Sequence, residues 1–276
     1  MRTKPSLFAS ISKLASWVFL ATLFTNLPAQ SQVSLSPMII DLQANRGQSQ
    51  SSINISNSSD EPFRARVYAQ PFTYDRNTGF KTLSSSPNDL NPYLQFSPRE
   101  LIVPPGVTRK VRLITHFPPN LPDGEYRSVV FTEKLEETKD SNGNKVNVAT
   151  RIGATVYVRQ GSLSPKIVAD NAEWNPQKQQ IQLLVKNTGK ASARAAVKWT
   201  LRQGNKVIKQ GNVDPNFIIA ESDRYIPLNL PQQKESAIAS GEYELSGELV
   251  WGDKNQNKQK FTLKLTIPAT AILNHS

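Results

Sequence analysis

The sequence predicts an all-β chain folded as two sandwich domains in tandem behind a cleaved leader. Three observations carry this. Short apolar or alternating runs recur along the chain with turn residues between them, the signature of short strands joined by hairpins. Landmarks of the first half return in the second. And one run, Val146 to Arg159 (VNVATRIGATVYVR), alternates longer and more regularly than any other.

Met1 to Ser31 reads as a secretory signal peptide. Arg2, Lys4 and Lys13 make a positive start, Leu14 to Phe24 is an apolar core too short to span a bilayer, and Ala29-Gln30-Ser31 offers small residues for cleavage. The mature chain is expected to begin near Gln32, outside the cytoplasm. No later segment is apolar enough to cross a membrane, so no membrane span is expected in the mature chain.

The first domain is expected over residues 32–160. Its strand candidates are SLSPMIIDL (34–42), SSINIS (51–56), FRARVYAQPF (63–72), ELIVPP (100–105), TRKVRLITHF (108–117) and YRSVVFTEKL (126–135), followed by the long run. Asn57-Ser58-Ser59-Asp60 and Pro104-Pro105-Gly106 are turn clusters. Lys139 to Lys145 (KDSNGNK) is a polar loop that makes a hairpin of the last two strands. In the long run Val146, Val148, Ile152, Ala154, Val156 and Val158 share one face with Thr150, while Asn147, Arg151, Thr155 and Arg159 fall on the other. That is the two-residue period of a half-buried strand, and its β-branched content favours a strand over a helix. At about 3.3 Å per residue it would span about 40 Å, well beyond a usual strand. One small sandwich can hardly cover that length, so part of the row should meet a second layer or something outside the chain.

Gln160 to Pro165 is the linker candidate, and the second domain is expected over 161–276. Its strand candidates lie at 178–187, 193–203, 206–213, 224–230, 242–251 and 258–268. The stretch 53–68 (INISNSSDEPFRARVY) resembles 183–199 (LLVKNTGKASARAAVKW): an apolar strand, an Asn at a turn, a polar turn, then a strand ending in an aromatic. Likewise Asp123-Gly124-Glu125-Tyr126 resembles Ser240-Gly241-Glu242-Tyr243. Each opens the penultimate strand of its half, where an immunoglobulin-like sandwich places a tyrosine corner. Two tandem immunoglobulin-like domains follow.

Composition excludes most chemistry. There is no cysteine, hence no disulfide framework, thiolate metal site or thiol nucleophile. Of two histidines, His275 is next to the C-terminus and His116 is a strand-end residue read as surface, which leaves few routes to a nucleophile triad or a transition-metal site. Glu133, Glu136, Glu137 and Asp140 cluster near the hairpin tip without the spacing of a calcium loop. They read as a solvated acidic edge. Asp170, Glu173 and Trp174 read as a turn and a packed aromatic, and Trp199 and Trp251 as core. The formal charge is +11, and removing the three leader cations leaves +8. The cations are spread among acids with no basic aromatic motif, so nucleic acid is not an expected partner. No enzyme, cofactor or metal is expected.

The residues resemble a family at this point. Val33-Ser34-Leu35-Ser36-Pro37, FSPRELIVPPGVTRKVRLI (96–114), DGEYRSVVFTEKL (123–135) and a long alternating last strand are similar to the periplasmic pilus-assembly chaperones. The likeness covers the first domain well and the second in general design. It implies two immunoglobulin-like domains in a boomerang and a periplasmic chaperone. The last strand of the first domain would be lent to secreted β-rich pilus or surface subunits, a form of β-augmentation. Val146, Val148, Thr150, Arg151 and Ile152 would meet the subunit, and Arg159 would be the interdomain basic residue. An outer-membrane usher is a further partner that the resemblance implies. The family's cleft arginine and lysine, which hold a subunit's terminal carboxylate, fall here on Ile39 and Gly153. Arg151, two residues before Gly153 on the same face, is the available substitute, since a guanidinium grips a carboxylate bidentately. The other reading is a periplasmic or cell-surface structural or adhesion protein that keeps both domains without subunit capture. A glycan- or envelope-binding accessory module is a third.

Overall fold

The computed structural model describes residues 33–139, 145–228 and 238–269, with the backbone alone described at 135–139, 145–149 and 253. The expectations for the leader, for His275 and for Asp140 fall outside that set.

The described chain is β throughout apart from two short 3-10 turns. In order the strands are β1 (Val33–Ser36), β2 (Ile39–Gln43), β3 (Gln48–Asn57), β4 (Phe63–Gln70), β5 (Phe72–Asp75), β6 (Gly79–Thr82), β7 (Leu94–Ser97), β8 (Glu100–Val103), β9 (Thr108–His116), β10 (Gly124–Lys139) and β11 (Lys145–Gln160). There follow β12 (Ile167–Asn175), β13 (Gln180–Asn187), β14 (Ala193–Gln203), β15 (Lys206–Ile218), β16 (Ser222–Leu228), β17 (Gly241–Trp251) and β18 (Asn257–Ile267).

Two sheets form the first sandwich, β1-β3-β9-β7 and β2-β11-β10-β4-β8. The expected single strand over 34–42 is two, because Pro37 has no N–H to continue a ladder. β1 stays with β3, and the chain then crosses to lie parallel to β11 as β2. Alternation sends Ile53, Ile55, Val111 and Leu113 from one sheet, and Ala65, Val67, Val130, Ala154, Val156 and Val158 from the other, into one core. Each Val, Leu or Ile among them contributes roughly 1.5–3 kcal/mol when fully buried.

The second sandwich pairs β12-β13-β16 with β15-β14-β17-β18 around Ile181, Leu183, Val185, Val197, Trp199, Leu201, Leu245 and Leu249. Trp174 and Trp251 pack partly against this core. Strand β12 corrects the reading of Asp170 to Trp174 as a turn. Its ladder with β13 shifts register between Ala169 and Asn171, and that bulge breaks the alternation.

Both tyrosine corners form. The Tyr126 hydroxyl donates to the Pro122 carbonyl at 2.9 Å, and Tyr243 donates to Ala239 at 2.8 Å. The repeated Asn also has the same duty in both halves. Asn57 is buried, donates to Glu61 and Val103 carbonyls at 2.7 and 2.9 Å, and accepts from the Ser59 N–H. Asn187 donates to the Ala191 carbonyl at 2.8 Å and accepts from the Gly189 N–H at 3.0 Å. Each side chain thus satisfies the backbone polar groups of a buried turn that no ladder reaches.

A third cluster joins the sandwiches. Phe72, Val129, Phe131 and Tyr157 of the first pack with Phe217 and Ile219 of the second. The Tyr157 and Phe217 rings stack at 4.5 Å between centroids.

Candidate functional site

Strands β10 and β11 pair without a break from Gly124 and Gln160 to Lys139 and Lys145. The other neighbours of this hairpin are much shorter. Strand β4 covers β10 only from Val129 to Lys134, and β2 covers β11 only from Thr155 to Arg159. Among the described residues, no strand pairs with Lys145 to Ala154 on the side away from β10. Over ten residues at about 3.3 Å each, an edge of about 33 Å is left with main-chain donors and acceptors facing outward. Their identity follows from the alternation of an antiparallel ladder. The Thr155 N–H points to β2, where it donates to the Met38 carbonyl at 3.0 Å. Gly153 and Arg151 share its parity, so their N–H and C=O groups face the open side, while those of Ile152 and Thr150 are spent on β10.

The side chains of β11 divide at Ile152. Ala154, Val156 and Val158 are core, and Ile152 packs partly against it. Thr150 and Arg151 are exposed. Val146 and Val148 pair through their backbones with Thr138 and Glu136, and their side chains lie outside the described set. Strand β10 runs on through Lys139, so the backbones of Glu136 and Glu137 stand in its ladder.

The opposite face of β11 is where sequence reasoning saw least. Thr155 and Tyr157 are buried on it, and so are Glu125, Arg127, Val129 and Phe131 of β10. The second sandwich covers this face, so both strands are buried on two sides where they leave the junction. At Gly153 a Cβ would lie 2.6 Å from the Val129 Cγ2 and 2.9 Å from the Phe131 Cε1. The position that resembles the family's lysine is thus closed by apolar packing, and Ile39, at the position of its arginine, is partly exposed. Arg151 lies on the same face further out, its guanidinium 4.7 Å from the centre of the Phe131 ring. This is a cation–π distance that leaves the charge at the rim of the aromatic cluster. Arg224 of β16 stands 4.8 Å over the Tyr74 ring.

Polar contacts complete the junction. The Ser192 N–H donates to the Glu125 Oε2 at 2.6 Å, the Ser192 hydroxyl binds the other carboxylate oxygen, and that hydroxyl accepts from the Ala220 N–H at 3.0 Å. Burial pushes the Glu125 carboxyl up from its ordinary value, opposed by its bonds to Ser192 and by Arg127. Burial likewise lowers the Arg127 guanidinium and raises the Tyr157 phenol. Arg76, at the tip of the β5–β6 hairpin, grips Asp223 with two guanidinium nitrogens, Nε to Oδ1 at 2.7 Å and Nη2 to Oδ2. Arg159 forms an ion pair with Asp41. It lines a cavity of about 490 Å³ together with Ser192, Arg194 and Trp251 of the second sandwich. Among the described residues no three His, Asp or Glu side chains gather as a metal site, and no helix is long and apolar enough to cross a membrane.

No protein-family model and no curated protein matches the chain. Among solved structures it is similar to the CsuC-CsuE chaperone–tip adhesion subunit pre-assembly complex, from the archaic chaperone-usher Csu pili of Acinetobacter baumannii. The identity is 14% and the TM-score 0.47, over 86% of this chain and 100% of that one. It is similar at 14% identity and a TM-score of 0.46 to a chaperone–tip adhesin complex of CFA/I fimbriae biogenesis, over 87% of this chain and 100% of that one. The class 5 fimbriae chaperone CfaA is similar at 16% identity and a TM-score of 0.45, over 86% and 99%.

Proposed function

We propose that the protein is a non-enzymatic periplasmic chaperone that holds secreted β-rich subunits of a pilus or related surface structure by lending them the edge of β11. The open edge at Lys145 to Ala154 carries the proposal. A ten-residue ladder with unpaired main-chain groups is an aggregation hazard if left bare, and it is a template for a chain that lacks a strand. Main-chain bonds from Arg151 and Gly153 would supply affinity. The row of Val146, Val148 and Thr150 would enter client pockets, and Ile152 would anchor the row to the chaperone's own core. In the same proposal the domain boundary falls near Gln160, and Arg159 helps fix the two domains. Arg151 is the one cation of the set placed to meet a client carboxylate. An usher belongs to the proposal as a second partner.

The closed position at Gly153 favours the alternative, an immunoglobulin-like structural or adhesion protein, because the cleft of the resembling family is here filled with aromatic rings. One experiment separates the two. The tagged mature chain and its Val148→Glu variant are purified from the native envelope fraction, and the co-purifying proteins are identified by mass spectrometry. The proposal expects a small secreted β-protein with the wild type and none with the variant, since a carboxylate is costly in an apolar pocket. If both forms come out alone, or with the same envelope proteins, the structural reading replaces it.

A further inference from the structure

A different face of the first sandwich carries a second kind of recognition. Strands β1, β3, β7 and β9 contain Arg109, Lys110 and Arg112 and not one Asp or Glu. The four-stranded sheet of the second sandwich is built otherwise. There Lys198 stands opposite Glu248, which stands opposite Lys260, and Arg202, Glu244 and Lys264 form a second such row. Cross-strand partners of opposite sign compensate the cations of these two rows. In the first sandwich Lys110 stands opposite Asn54, and Arg112 stands between Ser52 and Ser97. The two cations share the solvent face, two residues apart, with no carboxylate in register.

They border a groove. A cavity of about 690 Å³ is lined by Phe96, Ser97, Arg99, Lys110, Arg112 and Ile114. It shares Phe96 and Arg99 with a neighbouring cavity of about 370 Å³, which adds Arg66 and Glu100. Glu100 is already taken by Arg64. The Arg99 guanidinium lies 5.1 Å over the Phe96 ring, which holds the charge above an apolar floor. Strand β7 is the outer strand of its sheet, bonded to β9 alone among the described residues. An apolar floor, three cations and a free strand edge therefore meet in one place.

We infer that the groove beside β7, with Phe96 as floor and Arg99, Lys110 and Arg112 as its charges, binds an extended acidic peptide segment of a partner protein. The peptide backbone would pair with the free edge of β7. Side chains of one parity would lie on Phe96, which stands opposite the core residue Leu113, and carboxylates of the other parity would meet Lys110 and Arg112 on the solvent face beside Ile114. A strand partner fits better than a compact anion because the charges are spread along the groove instead of converging on a point. The site lies on the opposite sheet from the edge of β11, so it stands or falls separately from the proposed chaperoning.

The test titrates the isotope-labelled mature chain with a blocked peptide of alternating Glu and Val, and with its Gln–Val counterpart, followed by amide chemical shifts. The inference expects the Glu peptide to move the amides of residues 95–99 and 110–114. It expects binding about tenfold weaker in Lys110→Gln/Arg112→Gln, and no binding of the Gln peptide. Both substituted side chains are exposed, so the variant should keep the native spectrum elsewhere. If the Glu peptide leaves these amides unmoved, or binds the double variant equally well, the groove is not a peptide site. If vesicles of anionic phospholipid shift the same amides and the peptide does not, the inference is equally overturned.

Discussion

One hydroxyl closes the corner of each sandwich. Tyr126 and Tyr243 follow the same Gly-Glu pair in the two halves. The donor bonds to Pro122 and Ala239 supply the reason for the repeat. Tyr126→Phe should lower the unfolding free energy by about 1 kcal/mol, the scale of one lost hydrogen bond. Denaturant melts that match wild type would count against the corner. Gly153 was equally visible as a residue, but what closes around it was not, since Val129 and Phe131 come from the neighbouring strand. Gly153→Ala should cost about 1–3 kcal/mol, as an added methyl in a filled site does. An unchanged melting curve would mean that the packing yields there and that a longer side chain could return. Glu125 and Ser192 were missed as partners altogether, because 67 positions separate them and nothing local announces a contact at that range.

At the scale of elements, the period of two found the strands that have one wet face and stumbled on the rest. Val146 to Val158 was legible because its alternation in sequence runs the whole length. The hairpin of β5 and β6 was not, since each strand has four residues, too few for a period, and its purpose is to carry Phe72 and Tyr74 to the other sandwich. Strand β12 was hidden by its bulge, whereas β10 was found over 126–135 from its apolar run, with no alternation to read because Glu125 to Thr132 is buried on both faces. The ladder parity of β11 makes a prediction of its own. Proline is tolerated on an edge strand where the missing N–H faces outward, and not where it removes a ladder bond. Arg151→Pro should therefore leave the chain folded by circular dichroism while weakening client capture, and Ile152→Pro should disrupt the hairpin itself. Equal damage from the two would show that the outward edge has been assigned to the wrong residues.

For the whole molecule, the junction decides what the open edge can do. Stacked Tyr157 and Phe217, the Arg76–Asp223 grip and the buried Glu125–Ser192 bonds tie the two sandwiches together. The hairpin thus projects from a braced base rather than from a loose linker. Because burial raises the Glu125 carboxyl above its unfolded value, the folded state holds this proton more tightly than the unfolded state does. That contribution is fully present below the ordinary carboxylate range and is lost as pH rises through the raised value. Glu125→Gln should therefore flatten the part of the stability–pH profile that wild type gains on acidification towards about pH 5. Parallel profiles for the two proteins would exclude Glu125 as its source. In the proposed function a client completes its fold on the free edge of β11. Amide hydrogen exchange of the mature chain, alone and bound to the subunit it captures, reads that edge residue by residue. The N–H groups of Arg151 and Gly153 should exchange quickly in the free protein and become protected in the complex, while those of Ile152 and Thr150 are slow in both. Unchanged exchange at Arg151 and Gly153 in a saturated complex would show that the client is held elsewhere and that β11 does not donate its edge.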